Sequence, residues 1–413
     1  SIDRVLQLPA VGSKNFLITI GDRFITGLVD RDQMVGPWQV PVADVGVTAT
    51  SLGDTILSTG EAMAMGEKPT LALISASASA KMCVAESLLN IFAADIPSLD
   101  HVKLSANWMS AASHEGEGAK LYEAVQAIGM DLCPDLGISI PVGKDSMSMK
   151  MKWDDKEVTA PLALTITSFA PVDNTSNTWT PQLQNLGEQQ QEETVLVLVD
   201  LAASNEAGKS LGGSALAQVY KQVGDSAPTV HSHKILKSFL ETLIVLHKQF
   251  DILAYHDRSE GGLITTVLEM AFAGRCGLDL NINGKQDVFT ELFNEELGAV
   301  FQIKFKDYTK FQQIFLDNGI NENFIQIIGK PKFDSKQSID ISFNGTPIYS
   351  STRGHLQQLW SNTSYHIQKL RDNPITSTQE YDAIKDDNDP GISYQLTYQP
   401  NEFKKYSLQQ PKV

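Results

Sequence analysis

The sequence predicts an α+β fold built from two units that each carry strands and helices. Short apolar runs typical of strands alternate along the chain with amphipathic helical patterns. Between residues 173 and 193 the composition shifts to Asn, Thr, Ser, Gln and Glu, which is typical of a domain boundary. We therefore predict a first unit at residues 1–175, a linker at 176–192, a second unit at 193–372 and a second linker at 373–413.

The composition is that of a globular protein and excludes some classes of partner. Of the 413 residues, 42% are hydrophobic, and 33 Lys and Arg stand against 49 Asp and Glu, which gives a net charge of −16. A chain this acidic is not expected to bind nucleic acid or an anionic membrane surface. An anionic ligand would need local help from metal ions, helix ends or a few placed cations.

Cysteine and targeting patterns indicate a reducing cytoplasm. Cys83, Cys133 and Cys276 lack the spacing of a disulfide framework or a zinc site. No apolar run reaches the roughly 18 residues that a membrane span needs, and residues 1–4 have no feature of a signal peptide. Because the chain starts without Met and stops abruptly after a polar stretch, we expect a fragment of a longer protein.

The elements of the first unit follow from local patterns. Two β-rich runs around Gly21 and Asp22 predict a hairpin over residues 16–29. An Ala-rich stretch predicts a helix over residues 77–94, and a second helix is expected from about residue 119 to 132. Strands are predicted at residues 102–109 and 160–170.

The second unit begins with a buried strand at residues 194–199. Residues 211–214 precede a predicted helix at 215–223, and their Gly-Gly-Ser sequence serves either as a helix cap, which we favour, or as a phosphate contact. Further helices are predicted at residues 233–247, 310–317 and 356–371. Further strands are predicted at residues 278–282, 299–305 and 324–328.

Residues 252–274 form the most informative stretch, because an apolar strand runs through polar residues into a helix. Asp257 and Ser259 lie at the turn, and Gly261 and Gly262 allow close approach of the backbone. Such a junction is suited to hold an anion. A carboxylate cannot meet a phosphate directly, so Asp257 predicts a cation between the two.

Three further oxygen donors are candidates for this cation. Asp44 is flanked by valines, where a carboxylate is costly to bury unless it is paired or metal-bound; the alternative is an exposed residue on an edge strand. Glu86 and Asn90 are four residues apart, so their side chains lie one turn apart on one helix face and could bind Mg²⁺. The alternative for this pair is a solvated helix surface.

Other polar residues remain open between two interpretations. Lys14 either is a solvated residue at a strand end or reaches a phosphate. His114 lies in a Gly-rich acidic loop without a visible catalytic partner. Residues 143–149 lack the spacing of a phosphate-binding loop, because Ile138 occupies the place of its first Gly and Asp145 follows Lys144, so a functional loop and a strand-end turn both remain open.

Six motifs, taken together and in order, resemble the large single-chain form of the phosphoribosylformylglycinamidine synthase family, also called formylglycinamide ribonucleotide amidotransferase. They are Lys14 with residues 21–23, and residues 31–37, 40–48, 143–149, 211–214 and 256–262. The family converts formylglycinamide ribonucleotide, glutamine and ATP to formylglycinamidine ribonucleotide in purine synthesis. Its synthetase core is a duplicated two-domain unit of the aminoimidazole ribonucleotide synthetase type. This chain resembles the second copy.

The resemblance implies a role for particular residues. In the family, the second copy holds an auxiliary ADP through several Mg²⁺ ions. By position, Asp44, Glu86, Asn90 and Asp257 match the metal ligands, and Lys14, Ala43 and Ser259 match the nucleotide contacts. The resemblance also implies that the remaining domains of the enzyme, the first synthetase half and a glutaminase domain, are the chain's partners. An isolated second copy is expected to self-associate through the surface that would pair with the first.

The departures from the family limit what the chain does alone. None of its three cysteines resembles the glutaminase nucleophile, so the isolated chain is expected neither to release glutamate nor to complete the amidation. Two alternatives remain open. One is a self-sufficient ATP-dependent synthetase or small-molecule kinase of the same superfold, although no Gly-rich loop precedes Lys14; the other is a non-catalytic nucleotide-binding scaffold.

Overall fold

Two mixed β-sheets organise the chain and confirm the predicted α+β class. The computed structural model describes residues 1–50, 58–187, 192–205 and 207–398. The first sheet has the order β1-β2-β3-β8-β4-β5, and only the pair β4–β5 is parallel. Its strands are β1 (Val29–Arg31), β2 (Gly46–Ala49), β3 (Gly60–Glu67), β4 (Lys103–Met109), β5 (Ser139–Ser146) and β8 (Ala163–Val172), and a separate hairpin comprises β6 (Lys150–Trp153) and β7 (Lys156–Thr159).

The second sheet has the order β10-β12-β9-β13-β11-β14-β15. Its neighbouring strands are antiparallel except for the parallel pair β11–β14. The strands are β9 (Thr194–Asp200), β10 (Ala254–Asp257), β11 (Gly277–Ile282), β12 (Gly298–Lys304), β13 (Ile325–Lys332), β14 (Ser338–Phe343) and β15 (Thr346–Thr352).

Helices cover parts of both sheets. In chain order they are α1 (Ile2–Leu6), α2 (Asn15–Ile18), α3 (Ala76–Ile91), α4 (Glu117–Gln126), α5 (Cys133–Leu136), α6 (Ala215–Val219), α7 (His233–Gln249), α8 (Gly262–Gly274), α9 (Val288–Phe293), α10 (Tyr308–Asp317), α11 (Arg353–Arg371) and α12 (Pro374–Ala383). A π-helical segment, Ala127–Leu132, joins α4 to α5. Among the described residues, no helix is both long and apolar enough to cross a membrane.

Helix α3 is the central helix, because it packs on the first sheet and also contacts the second. Gly66 in β3 allows the first contact: a Cβ there would lie 2.2 Å from the Cys83 carbonyl oxygen and 2.7 Å from the Ser87 nitrogen. On the other side, the buried Tyr255 hydroxyl of β10 donates to the Leu89 carbonyl over 2.9 Å. This contact holds the end of β10 beside α3.

One face of the first sheet is covered and the other is open. Along β3, Ala62 and Ala64 are buried, whereas Met63 and Met65 are 53% and 56% exposed. This alternation is the period-2 pattern of a strand with one face against a core. Phe169 of β8 is also exposed at 39%. The outer face of this sheet therefore carries unusually large apolar side chains.

The predicted hairpin at residues 16–29 is wrong. Residues 15–18 form α2, and only Val29–Arg31 is a strand, paired with β2. The cause is tertiary: the Phe16 nitrogen donates to Ser364 Oγ over 2.8 Å, and Arg371 Nη1 donates to the Phe16 carbonyl. These contacts with α11 outweigh the local β propensity of the segment.

Residues 143–149 are neither of the two structures that the sequence left open. Residues 139–146 form β5, which pairs in parallel with β4, Gly143 opposite Ala106. A Cβ at Gly143 would lie 2.8 Å from the Ala106 carbonyl oxygen, so the glycine permits the close approach of the two strands. The Gly-Lys-Asp-Ser sequence is therefore mostly an edge strand.

The stretch predicted as the second linker contains an anchored segment. Residues 374–383 form α12, and the acidic residues that follow are held by two buried arginines. Arg353 Nη2 binds Asp387 Oδ1 at 2.6 Å, and Arg275 Nη2 lies 3.6 Å from Asp389 Oδ2. Residues 188–191 of the first predicted linker and residues 399–413 of the second lie outside the described residues.

Candidate functional site

A cavity of about 300 Å³ lies where β10 leads into α8, opposite α3. Residues from both predicted units line it. All seven residues predicted from the sequence are among them: Lys14, Ala43, Asp44, Glu86, Asn90, Asp257 and Ser259. The structure thus brings the predicted residues together, although they are up to 245 positions apart in the sequence (Lys14 to Ser259).

The turn between β10 and α8 depends on two glycines with left-handed backbone. Gly261 has φ +84°, and Gly262 has φ +72°. A Cβ at Gly262 would also lie 2.6 Å from the Asn294 carbonyl oxygen, so other residues would be strained and crowded there. The Gly261 nitrogen donates to Glu295 Oε1 over 2.8 Å. This turn directs Asp257, at the end of the buried strand, and Ser259 into the cavity.

Helix α3 presents Glu86 and Asn90 on its cavity side, one turn apart as predicted. Glu86 Oε2 accepts a hydrogen bond from the Glu67 nitrogen at 2.8 Å. Asn90 Nδ2 donates to the Met65 carbonyl over 3.1 Å, which fixes the amide. Asn90 Oδ1 is buried and has no hydrogen-bond partner. A buried acceptor without a partner is costly, so this oxygen is available to a cation.

Asp44 is held by a histidine that the sequence analysis did not assign. His256 Nδ1 lies 2.6 Å from Asp44 Oδ1, and His256 Nε2 lies 2.9 Å from Glu269 Oε2. Both ring nitrogens face carboxylates, which favours the doubly protonated imidazolium. Burial opposes the charged ring, but Asp44 and Glu269 outweigh it and raise the pKa of His256 well above its ordinary value. Asp44 Oδ2 is buried and has no partner.

The carboxylates around the cavity, those of Asp44, Glu86 and Asp257, are short of cationic partners. Burial, and then the neighbouring Asp44, raise the pKa of Asp257 well above its ordinary value. Burial also raises the pKa of Asp44 and of Glu86, although His256 and Lys68 act in the opposite direction. One ligand atom from each of Asp44, His256 and Asp257 lies within 4.8 Å of the others. Carboxylates in this position need either protons or a cation.

The residues fit a hard divalent cation. Asp44, Asp257 and Glu86 offer carboxylate oxygens and Asn90 an amide oxygen, which are the ligands that Mg²⁺ prefers. Two of these oxygens, Asp44 Oδ2 and Asn90 Oδ1, are buried without a protein partner. A cation bound by either oxygen would satisfy that acceptor.

The two predicted nucleotide contacts in the first unit already make protein contacts. Lys14 Nζ donates to the carbonyls of Gly12 at 2.5 Å and Ala10 at 3.2 Å, and burial lowers its pKa. The Ala43 nitrogen donates to the Gln33 carbonyl over 3.2 Å, so this nitrogen is already satisfied within the protein.

Lys68, Glu260 and Glu269 were missed by the sequence analysis. Lys68 contacts the predicted Glu86, Glu260 contacts the predicted Ser259, and Glu269 contacts His256. Glu260 lies within the motif at residues 256–262, whereas no motif contains Lys68 or Glu269. A charged residue inside an apolar stretch was the signal that identified Asp44, and it could have identified Glu269 within α8 as well. Lys68, by contrast, follows Glu67 at the end of a strand and resembles a solvated strand end.

Two other candidate motifs lie outside this cavity. His114 is exposed in its loop, and residues 143–149 line no part of the cavity. The Gly-Gly-Ser sequence at residues 212–214 acts as a cap, because Ser214 Oγ accepts from the Ala217 nitrogen at the start of α6 over 3.2 Å. The preferred interpretation of this motif is confirmed.

Comparisons with known proteins bear on the whole chain. Residues 13–171 match the family described as FGAR-AT PurM_N-like domain, and residues 191–308 match the family AIR synthase related protein, C-terminal domain. The chain is 65% identical, over its full length, to phosphoribosylformylglycinamidine synthase of Saccharomyces cerevisiae. This chain resembles a segment of phosphoribosylformylglycinamidine synthase. The resemblance that the sequence motifs predicted is confirmed.

Further comparisons agree in extent and in fold. The synthase of Schizosaccharomyces pombe is 54% identical over 97% of the chain. The chain spans only 31% and 30% of the lengths of these two relatives. Among solved structures, T. maritima PurL complexed with FGAR superposes with a TM-score of 0.60 over 86% of this chain and 52% of that chain, at 9% identity. T. maritima PurL complexed with ATP superposes with a TM-score of 0.50 over 72% of this chain and 44% of that chain, at 10% identity. These two likenesses show the fold, which is the two-domain type of the AIR synthases.

Proposed function

We propose that this chain is part of an ATP-dependent ligase that forms a carbon–nitrogen bond with glutamine as amido donor. The ligase would make formylglycinamidine ribonucleotide from formylglycinamide ribonucleotide in de novo purine biosynthesis. The names of the relatives support this activity, and the 65% identity to one of them supports its transfer to this chain. Within that enzyme, the segment holds an auxiliary ADP or ATP together with Mg²⁺.

One observation supports the auxiliary site above all: seven residues chosen from the sequence line one cavity, and that cavity contains buried oxygens without partners. Asp44, Glu86, Asn90 and Asp257 would hold Mg²⁺, which would neutralise nucleotide phosphates in an otherwise acidic site. Lys14, Ala43 and Ser259 would contact the nucleotide. Structures of T. maritima PurL complexed with ATP and with ADP share the fold, which agrees with a nucleotide here.

The domain division and the partners complete the proposal. We assign residues 1–175 and 193–372 to the two domains of a second synthetase copy, and residues 373–413 to a connection towards a glutaminase domain. The first copy would cover the open face of the first sheet, where Met63, Met65 and Phe169 are exposed. The isolated chain is then inactive in amidation and self-associates through this face. Three buried cysteines without disulfides agree with a cytoplasmic location.

Thermal unfolding of the 413-residue chain with and without Mg²⁺-ADP tests the site. A ligand that binds only the folded state raises the midpoint, so the parent should be stabilised. Asp44→Ala should lose this stabilisation. Asp251→Ala is the control, because Asp251 is an exposed carboxylate that lines no part of the cavity. If nucleotide stabilises Asp44→Ala as much as the parent, the assigned site is wrong.

ATP turnover separates the proposal from its alternatives. A self-sufficient synthetase or kinase would hydrolyse or transfer phosphate from ATP steadily, whereas an auxiliary site would retain ADP without turnover. A non-catalytic scaffold would also retain ADP, but no glutamine-dependent activity would appear when the other domains of the enzyme are added. Steady turnover by the chain alone would favour the self-sufficient enzyme.

A further inference from the structure

Lys68 is a buried lysine at the centre of the acidic residues. Only 3% of it is exposed. Its ammonium lies 2.6 Å from Glu86 Oε1, 2.5 Å from Glu260 Oε1 and 2.9 Å from Ser259 Oγ. An ammonium has three hydrogens, and these three contacts use all of them. The Ser259 hydroxyl also contacts Glu86 Oε1 and donates to Glu260 Oε2 over 2.7 Å, so the four groups form one closed network.

The network joins the two units beside the candidate cation site. Lys68 and Glu86 belong to the first unit, whereas Ser259 and Glu260 lie in the turn between β10 and α8. The backbone of Lys68 is fixed on both sides, because its nitrogen donates to Cys83 Sγ over 3.1 Å and its carbonyl accepts from Ser79 Oγ at 2.7 Å. The backbone of Lys68 is therefore held by α3.

The position of Lys68 matters because the other cations near the cavity are committed elsewhere. Lys14 donates to two backbone carbonyls, and His256 lies between Asp44 and Glu269. Lys68 does not itself line the cavity, but among the described residues it is the one cationic side chain that pairs with Glu86, which does. A divalent cation at Glu86 would share the carboxylate with this ammonium.

We propose that Lys68 is a positioning residue of the cation and nucleotide site: it fixes Glu86 and Ser259 across the two units and supplies a permanent positive charge that a bound Mg²⁺ supplements. This inference rests on the proposed function. Without the ammonium, Glu86 is left as an unpaired buried carboxylate and Glu260 as an unpaired half-buried one, and the site binds a divalent cation more tightly. At the same time Ser259 loses its fixed orientation, so the site binds nucleotide more weakly.

Lys209 offers a matched control. It is also a largely buried lysine that bridges two carboxylates: its ammonium lies 2.9 Å from Asp200 Oδ2 and also pairs with Glu291. Its partners Asp200 and Glu291 line no part of the candidate cation cavity, whereas all three partners of Lys68 do. A substitution there removes a comparable charge from a comparable environment, and only the position differs.

The test compares Lys68→Met, Lys68→Arg and Lys209→Met in the 413-residue chain. Thermal unfolding is followed without ligand, with MgCl₂ alone, and with MgCl₂ at saturation plus increasing ADP. For Lys68→Met we expect about tenfold tighter Mg²⁺ binding, since a nearby unit charge is removed, and about tenfold weaker binding of ADP. Lys68→Arg keeps the charge and should keep the parent's response to MgCl₂, and Lys209→Met should lower the midpoint but keep the parent's response to both ligands.

Affinity for Mg²⁺ that rises while affinity for ADP falls is a result that a merely structural lysine does not produce. If Lys68→Met responds to both ligands as the parent does, the inference about Lys68 is wrong and the proposed function stands. If the parent itself responds to neither MgCl₂ nor Mg²⁺-ADP, the proposed function fails, and this inference fails with it.

Should Lys68→Met not fold, Glu260→Gln replaces it: Lys68 then pairs with Glu86 alone, and Mg²⁺ should bind more weakly than in the parent. Unchanged Mg²⁺ binding in Glu260→Gln would overturn the inference.

Discussion

The chain buries two clusters of charged residues, and they differ in how their carboxylates are compensated. In the second unit, Asp200 lies 2.7 Å from Arg258 Nη2 and 2.9 Å from Lys209 Nζ. Burial opposes its charge, but these two cations outweigh burial and hold the pKa of Asp200 below its ordinary value. At the candidate cation site, burial and a neighbouring carboxylate raise the pKa of Asp257 instead.

Under the proposed function, the difference separates a self-sufficient network from one that a bound cation completes. A paired carboxylate in the interior contributes to folding only if its partners are in place. The Asp200 cluster contains those partners, so it needs nothing from solution. The cluster of Asp44 and Asp257 has too few, and a site that is costly without a cation is one that a cation stabilises strongly. Four experiments test whether the two clusters differ in this way.

The largest effect is expected for Asp200→Asn. It leaves Arg258 and Lys209 without their shared carboxylate, and breaking a buried ion pair from one side costs about 3–5 kcal/mol. Urea unfolding should show this loss at neutral pH, and MgCl₂ should not restore it. Glu193→Gln is the control, because its exposed pair with Lys330 is worth at most about 1 kcal/mol. If MgCl₂ rescues Asp200→Asn, the two clusters are not independent.

Asp257→Asn should stabilise the protein in the absence of ligand, whereas Asp200→Asn should destabilise it. The substitution removes a buried charge that the protein compensates poorly, so the free energy of unfolding should rise by about 1 kcal/mol. The same variant should lose the stabilisation by Mg²⁺-ADP, which is about 2.7 kcal/mol at a hundredfold excess over Kd. Urea unfolding with and without ligand measures both. A variant less stable than the parent without ligand would show that Asp257 is already well paired.

The pH dependence tests Glu295, a buried carboxylate near Lys68. Burial and then Glu260 raise the pKa of Glu295 from 4.5 to about 7. Because this pKa is raised in the folded state, the contribution of Glu295 to the free energy of unfolding is greatest below about pH 4.5. That contribution falls as the pH rises towards 7. Glu295→Gln should remove this fall and gain on the order of 2 kcal/mol over the parent at pH 8.

The glutamine can still accept the hydrogen bonds that Glu295 Oε1 receives from the nitrogens of Ala215 and Gly261. Unfolding curves between pH 4.5 and pH 8 for the two proteins provide the measurement. Parallel curves, with a constant difference in stability, would mean that Glu295 does not titrate in this range.

The smallest effect is expected for Asn90→Ala. It removes one oxygen ligand and the hydrogen bond to the Met65 carbonyl, which contributes about 1 kcal/mol to stability. Mg²⁺-ADP should bind about tenfold more weakly, which is about 1.4 kcal/mol. Calorimetric titration measures the affinity, and Asn362→Ala, which lies outside the cavity, serves as the control. Equal affinities for Asn90→Ala and the parent would remove Asn90 from the ligand set.

Much of the fold was predictable from local patterns. The helix predicted at residues 77–94 is α3, Ala76–Ile91, and the strand predicted at 194–199 is β9, Thr194–Asp200. Periodicity identifies such elements because one face or the whole segment is buried. The hairpin at residues 16–29 failed for the opposite reason: contacts with a helix more than 300 residues away in the sequence decide its conformation. No local pattern contains that information.

The candidate site divides in the same way. Residues within recognisable motifs, such as Asp257 and Ser259, could be selected from the sequence, and the pair Glu86 and Asn90 followed from helical spacing. Lys68 could not be selected, because its role depends on a contact with residues 191 and 192 positions further along the chain. His256 stands next to Asp257, yet its hydrogen bond to Asp44 depends on how the two units pack. Pairings between units are set by tertiary structure alone.

The cavity is lined from both sides by residues of different units, and this has a consequence for genetics. A substitution anywhere in the contact between α3 and β10, such as at Tyr255, would shift Asp257 relative to Glu86 without touching either. In a survey of variants scored by binding of Mg²⁺-ADP, substitutions at such positions would look the same as substitutions of the proposed metal-binding residues. A parallel measurement of protein abundance would distinguish the loss of a metal-binding residue from a packing change that displaces it.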